Sequence, residues 1–189
     1  MKRNRQDTLI LGFTLQEALC LSFCATFIII AKAVLRLHLH VTGHSMVLTM
    51  FFLLLARGCV PRKGAAIFTG LVAGILCVIL GMGAKSGPLA VFKFLLPGLC
   101  VDIVAWFYPR LSTNYAGCII TGAFAAGLRV VVLTLVELMV GMDYMVILQH
   151  MAVGTVMNMV FGGLGGSMVP SVVRRLDAAG LIRHIDADG

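Results

Sequence analysis

The sequence predicts an all-α integral membrane protein: a bundle of six transmembrane helices with both termini on the cytoplasmic side. Three observations predict it. Hydrophobic residues make up 60% of the 189 positions and charged residues 12%, with a mean hydropathy of +1.01. Apolar runs recur from Phe13 to Met168 with only short polar breaks. Lys and Arg gather in alternate loops instead of spreading evenly. A soluble domain of this length needs a charged surface that such a composition cannot supply. At roughly 20 residues per span, the apolar runs provide about six helices. They leave no room for a second domain, so residues 1–189 read as one membrane-embedded unit.

The first helix is expected from Leu9 to Leu35. Its basic start, Met1-Lys2-Arg3-Asn4-Arg5, looks like a secretory signal, but the apolar stretch outruns a signal core of about 7–15 residues and shows no small-residue cleavage site. It is expected to be retained. The second helix, Gly43 to Ala56, is short for a span and would need tilt or local thinning. The third is expected from Ala65 to Leu80. The fourth runs from Pro88, a residue suited to a first turn, to Phe107. The fifth covers Tyr115 to Val140, and the sixth Met145 to Val169, ended by Pro170. Pro97-Gly98 should kink the fourth helix and free a carbonyl. Gly70 with Gly74, Gly122 with Ala126, and Gly162 with Gly166 stand four apart and let helix backbones approach closely. Ala18, Ser22 and Thr26 form a similar stripe of small residues on the first helix.

The basic residues set the orientation. Lys2, Arg3, Arg5, Arg57, Arg62, Lys63, Arg110, Arg174, Arg175 and Arg183 fall on one side of the bundle, and only Arg36 and Lys85 on the other. Loops rich in Lys and Arg stay cytoplasmic. The outer loops are then Arg36–Thr42, Gly81–Gly87 and Gly141–Tyr144. This placement also accounts for the net charge of +7 without a nucleic-acid partner.

Ionisable groups inside a membrane cost roughly 2.5–3.5 kcal/mol each on insertion scales, so those present point to function. Lys32, Lys93, Glu137 and His150 fall toward the outer third of their helices, joined by His44 at the outer start of the second. These five are the candidate substrate-binding residues. Arg129 falls near mid-membrane, roughly 12 Å along the axis from Glu137, too far for a direct pair. Glu17 and Asp102 fall toward the cytoplasmic end, where they look unaccompanied and structural or coupling in role. Lys32 and Lys93 also have a plain reading, since long stems snorkel to headgroups.

His38, His40 and His44 invite a metal site, but no Cys, Asp or Glu lies near them, and no metal is assigned. The six cysteines form no CxxC pair, and free thiols are expected. The eleven methionines suit adaptable apolar packing or a large flat ligand. No nucleotide-binding loop, nucleophile elbow or HExxH pair occurs, so no catalytic residue and no cofactor is assigned.

The stretch Val60-Pro-Arg-Lys-Gly-Ala-Ala-Ile-Phe-Thr-Gly-Leu-Val-Ala-Gly-Ile-Leu, followed by Leu80-Gly, Gly87-Pro88, Pro97-Gly98-Leu99 and Asp102, resembles a known pattern. It is similar to the membrane-embedded substrate-binding subunits (S components) of energy-coupling factor transporters, a class of ABC importers. The layout is closest to the hydroxymethylpyrimidine and thiamine subfamily. Gly162-Gly163-Leu164-Gly165-Gly166 with Arg174-Arg175-Leu176 and Ala179-Gly180-Leu181 resembles the end of such subunits. The resemblance implies an outward-facing pocket capped by the loop between the first two helices, in a prokaryotic plasma membrane. It implies partners, namely a transmembrane coupling subunit and two ATPase subunits, and a vitamin-like or cofactor-related substrate. Ala18 and Ser22 would be the coupling-subunit contact, although Cys24 and Thr26 depart from the clean alanine spacing of that motif.

A cationic ligand would call for carboxylates on the third helix, and Thr69 to Gly81 has none. Lys32 and Lys93 against Glu137 suit a ligand with a carboxylate or phosphate, or a neutral heterocycle. A tetrapyrrole facing His44, His150 and the methionines stays open. Nickel or cobalt fits less well, because related metal-binding subunits carry a His right after the initiator Met and this chain begins Met1-Lys2-Arg3. The rival readings are an intramembrane enzyme acting on lipid-like substrates and a stand-alone carrier or channel. A carrier would favour inverted repeats with paired broken helices, and only one Pro-Gly break is evident.

Overall fold

Water competes poorly for backbone groups in an apolar chain, so the segments between polar breaks close their own hydrogen bonds and become helices. The computed structural model describes residues 8–9, 13–38, 45–81, 91–108, 111–139 and 144–179, and helix fills nearly all of them. Two short strands, β1 (Thr8–Leu9) and β2 (Phe13–Thr14), pair antiparallel. Six helices follow: α1 (Leu15–His38), α2 (Ser45–Cys59), α3 (Ala65–Ile79), α4 (Phe92–Phe107), α5 (Tyr115–Met139) and α6 (Tyr144–Ala178). A 3-10 turn at Leu111–Thr113 precedes α5. The expected start at Pro88 and the expected outer loops lie largely outside the described residues.

Two expected boundaries are corrected. The first helix does not begin at Leu9, which belongs to β1. A capping box sets the start instead: the Thr14 N–H donates to Glu17 Oε2 at 2.8 Å, and the Glu17 N–H donates to Thr14 Oγ1 at 3.4 Å. Two of the helix's orphan donors are thereby satisfied. The sixth helix does not stop at Pro170 but continues to Ala178. A proline removes only its own N–H and crowds the carbonyl four residues back, here that of Gly166. Pro170 is fully buried, and the turns on either side of it stay helical.

Around the bundle, neighbours run α1, α3, α4, α5, α6, α2 and back to α1, and α2 touches all five other helices. The predicted small-residue contacts occur. A Cβ on Gly70 would lie 2.6 Å from the Phe94 carbonyl oxygen, and one on Gly98 would lie 2.5 Å from that of Ala66. Backbone thus meets backbone at two heights between α3 and α4. Gly122 meets the Gly162 carbonyl in the same way between α5 and α6. Pro97 lies inside α4, fully buried, and withholds the N–H that would bond the Lys93 carbonyl.

The outside of the bundle is apolar. Leu15, Leu19, Phe23, Phe27, Ile30 and Val34 form one exposed face of α1, each more than half exposed. On α6, Val153, Val156, Val160, Leu164 and Met168 do the same. Such a contiguous apolar surface needs a partner phase. Two segments, Leu15–Val34 and Met151–Ala178, are long and apolar enough to cross a membrane, whereas Ser45–Cys59, Ala65–Ile79 and Tyr115–Val131 are apolar but shorter.

The close packing is testable. Gly98→Val should lower the melting temperature of the detergent-purified protein by several degrees, reflecting overpacking of about 1–3 kcal/mol. At Gly154 an added Cβ would meet nothing within 4 Å, so Val should be tolerated there with little change. Equal melting of both variants would remove the backbone contact as a stabilising feature.

Candidate functional site

Each polar group inside an apolar bundle must be satisfied from within, and the two ends of this bundle do so differently. At the end where α2 turns into α3, charges are paired. Arg57 Nε lies 3.5 Å from Asp102 Oδ1, an ion pair in which that buried oxygen accepts no hydrogen bond among the described residues. Asp102 Oδ2 also accepts the Ile67 N–H at 2.8 Å. The first residue outside α3 is Gly64, at φ +91° and without a side chain to cap the helix; Asp102 supplies the missing acceptor from α4. An anion there also meets the positive end of the α3 dipole. Arg57 in turn donates to the carbonyls of Val60 and Arg62, closing the turn.

A second pair joins α1 to this base, with Arg62 Nη1 at 3.4 Å from Glu17 Oε2. The expectation that Glu17 and Asp102 stand unaccompanied is therefore corrected: each has an arginine partner, and both work as structural ties. Exposed aromatics ring the same end. Lys63 Nζ lies 5.1 Å from the Trp106 ring centroid, and Arg174 Cζ lies 5.3 Å from that of Tyr115.

At the opposite end the pattern inverts. Lys32 on α1 donates to Cys77 Sγ on α3 at 3.6 Å, and its Nζ lies 4.6 Å from the Phe94 ring centroid. Arg129 on α5 brings its Cζ to 5.8 Å from the same ring. Its Nη1 donates to Met46 Sδ on α2, while its Nε is buried with no hydrogen-bond partner among the described residues. Lys93 lies within electrostatic reach of Lys32 and makes a further interaction of its own. Two cations from α1 and α5 thus meet at one buried ring on α4, Phe94, and side chains of α3 and α2 in turn contact those cations. Among the described residues, no carboxylate forms an ion pair with Lys32 or Arg129.

Of the five candidate binding residues, the structure brings Lys32 and Lys93 into this cluster. The side chains of Glu137 and His150, and all of His44, lie outside the described residues, as do the imidazoles of His38 and His40. Arg129, Phe94, Met46 and Cys77 join the cluster without having been expected there. Arg129 is visible in the sequence as an arginine in an apolar run, but helix position alone puts it at mid-membrane. Its long side chain spans about one helical turn and reaches the layer of Lys32. Ala18 and Ser22 lie beside the exposed Leu19 and Phe23, and the Ser22 carbonyl accepts the Thr26 hydroxyl at 2.9 Å.

Two other features lie apart from the cluster. The thiol of Cys20 sits against those of Cys24 and Cys59, and all six cysteines are free. Among the described residues, no group of three or more His, Cys, Asp or Glu could hold a metal ion. An open groove of about 290 Å³ between α5 and α6, floored by Ala123 and Gly163, has no charged side chain. No protein family, curated protein or solved structure matches the chain.

The asymmetry of the base predicts unequal mutational costs. Asp102→Ala strands Arg57 and uncaps α3, and should cost about 3–5 kcal/mol, the loss typical of half a buried ion pair. Glu17→Ala removes a cap and a partly exposed pair and should cost about 1 kcal/mol. Thermal unfolding in detergent checks the order, and equal destabilisation would contradict the structural role given to Asp102.

Proposed function

We propose that the chain is the substrate-capturing subunit of an energy-coupling factor type ABC importer, a six-span bundle with both termini in the cytoplasm. The observation that carries the reading is the cluster of Lys32, Lys93 and Arg129 about Phe94. Half-burying Lys32 and Arg129 without an acidic partner among the described residues is unfavourable as a scaffold and useful as a recognition site. The cluster lies at the bundle end opposite the paired, basic base. By the charge bias of the loops, that end faces outward. The apolar outer faces of α1 and α6 support membrane embedding, and the aromatic and basic collar at Trp106, Tyr115, Lys63 and Arg174 supports a cytoplasmic interface there.

On this reading the ligand is a vitamin-like or cofactor-related small molecule, neutral or carrying an anionic group. It enters from outside among Lys32, Lys93, Glu137, His150 and His44. A transmembrane coupling subunit meets the small stripe at Ala18 and Ser22, and two ATPases supply the energy. The lipid-enzyme rival loses its candidate acids, because Glu17 and Asp102 are already committed to arginines and helix termini.

Uptake assays test this directly. Transport of the captured compound should cease when the ATPases are inactivated, and should fall at least about tenfold in Lys93→Ala, the loss expected for one charge-assisted contact. Normal binding and transport by Lys93→Ala, Glu137→Ala and His150→Ala alike would sink the capture reading. Transport without ATPases would favour a stand-alone carrier.

A further inference from the structure

The cation cluster constrains the chemistry of what binds. Lys32 and Arg129 reach the same ring from α1 and α5, and neither pairs with an acid among the described residues. Cation–π attraction recovers only part of what burying an unpaired charge costs. The thioether of Met46 and the thiol of Cys77 are weak acceptors and do little to close the gap. Glu137 lies roughly 12 Å along α5 from Arg129, and the buried Arg129 Nε has no partner among the described residues. Among the described residues, the layer around Phe94 therefore offers no negative charge to Lys32 or Arg129.

We infer that the ligand carries a carboxylate or phosphate group, which seats between Lys32 and Arg129 beside Phe94 with Arg129 as its main anchor. The inference rests on the capture reading and narrows it, since that reading also admits a neutral heterocycle. Arg129 turns Nη1 to Met46, which leaves the edge carrying Nε. That edge offers parallel donors matched to two oxygens of an oxyanion. Lys32 adds a second, compact charge from across the bundle. A cationic ligand would meet two like charges at this ring. A neutral one would leave the two charges uncompensated.

Simple oxyanions serve as probes. Thermal unfolding of the detergent-purified full chain is followed in potassium phosphate and in potassium acetate, against potassium chloride at equal ionic strength. One or both oxyanions should raise the melting temperature of the wild-type protein. Stabilisation by phosphate alone assigns a phosphoryl group, by acetate alone a carboxylate, and by both a seat common to either. The half-effective concentration should rise at least about tenfold in Arg129→Lys, which keeps the charge but loses the fork. It should rise similarly in Lys32→Met, which decides the matter if an arginine variant does not fold. No stabilisation of the wild-type chain by either oxyanion, or equal stabilisation of wild type and both variants, overturns the inference. An oxyanion effect without ATPase-dependent uptake keeps the anion seat and removes the transport reading. ATPase-dependent uptake of an uncharged compound does the reverse.

Discussion

The pair of Arg57 and Asp102 is the contact on which this bundle most depends. One carboxylate neutralises an arginine on α2, caps α3 through the Ile67 amide, and is itself carried by α4. Three helices are thereby fixed in register by two side chains, and α2 is the helix that touches all the others. The arginine also holds the α2–α3 turn through the Val60 and Arg62 carbonyls. In a surrounding with little water, a polar group that fails to find its partner costs far more than at a soluble surface. Glu17 with Arg62 extends the paired network to α1.

Against that paired end, the Phe94 layer stands out by what it withholds. α1 and α4, which each carry an acid of the paired base, also bring Lys32 to Phe94, where Arg129 joins from α5. Rigidity makes this tolerable. α3 and α4 lock backbone to backbone at Gly70 and Gly98, and α5 and α6 at Gly122 and Gly162, which seats the Phe94-bearing α4 against α3 and the Arg129-bearing α5 against α6. On the proposed reading, cations held by packing without a countercharge among the described residues are pre-organised for an anion. Stability is given up at the site and recovered in the glycine seams and the base.

Much of the architecture is legible in the sequence because hydrophobic runs and small-residue spacing act locally. Six helices stand at the six expected places, and Gly70, Gly122 and Gly162 mark real contacts. The failures have different causes, and only that of Asp102 turns on partners far away in the chain. Asp102 looks alone in the sequence because Arg57 and the α3 terminus cannot be located from its own helix. Arg129 looks mid-membrane because helix position records the backbone and not the reach of a guanidinium. Pro170 looks like a stop because a proline removes one helix hydrogen bond and crowds the preceding turn, yet α6 continues through it. The Thr14–Glu17 capping box is readable in Thr-Leu-Gln-Glu, but the apolar run beginning at Leu9 obscures it.

The most direct measurement is mass spectrometry of small molecules retained by the full chain purified in mild detergent, set against Arg129→Lys prepared in the same way. A specific compound bearing a carboxylate or phosphate is predicted in the wild-type preparation, depleted in the variant. A retained compound with no anionic group, held equally by both proteins, would contradict the anion seat at Arg129 and Lys32.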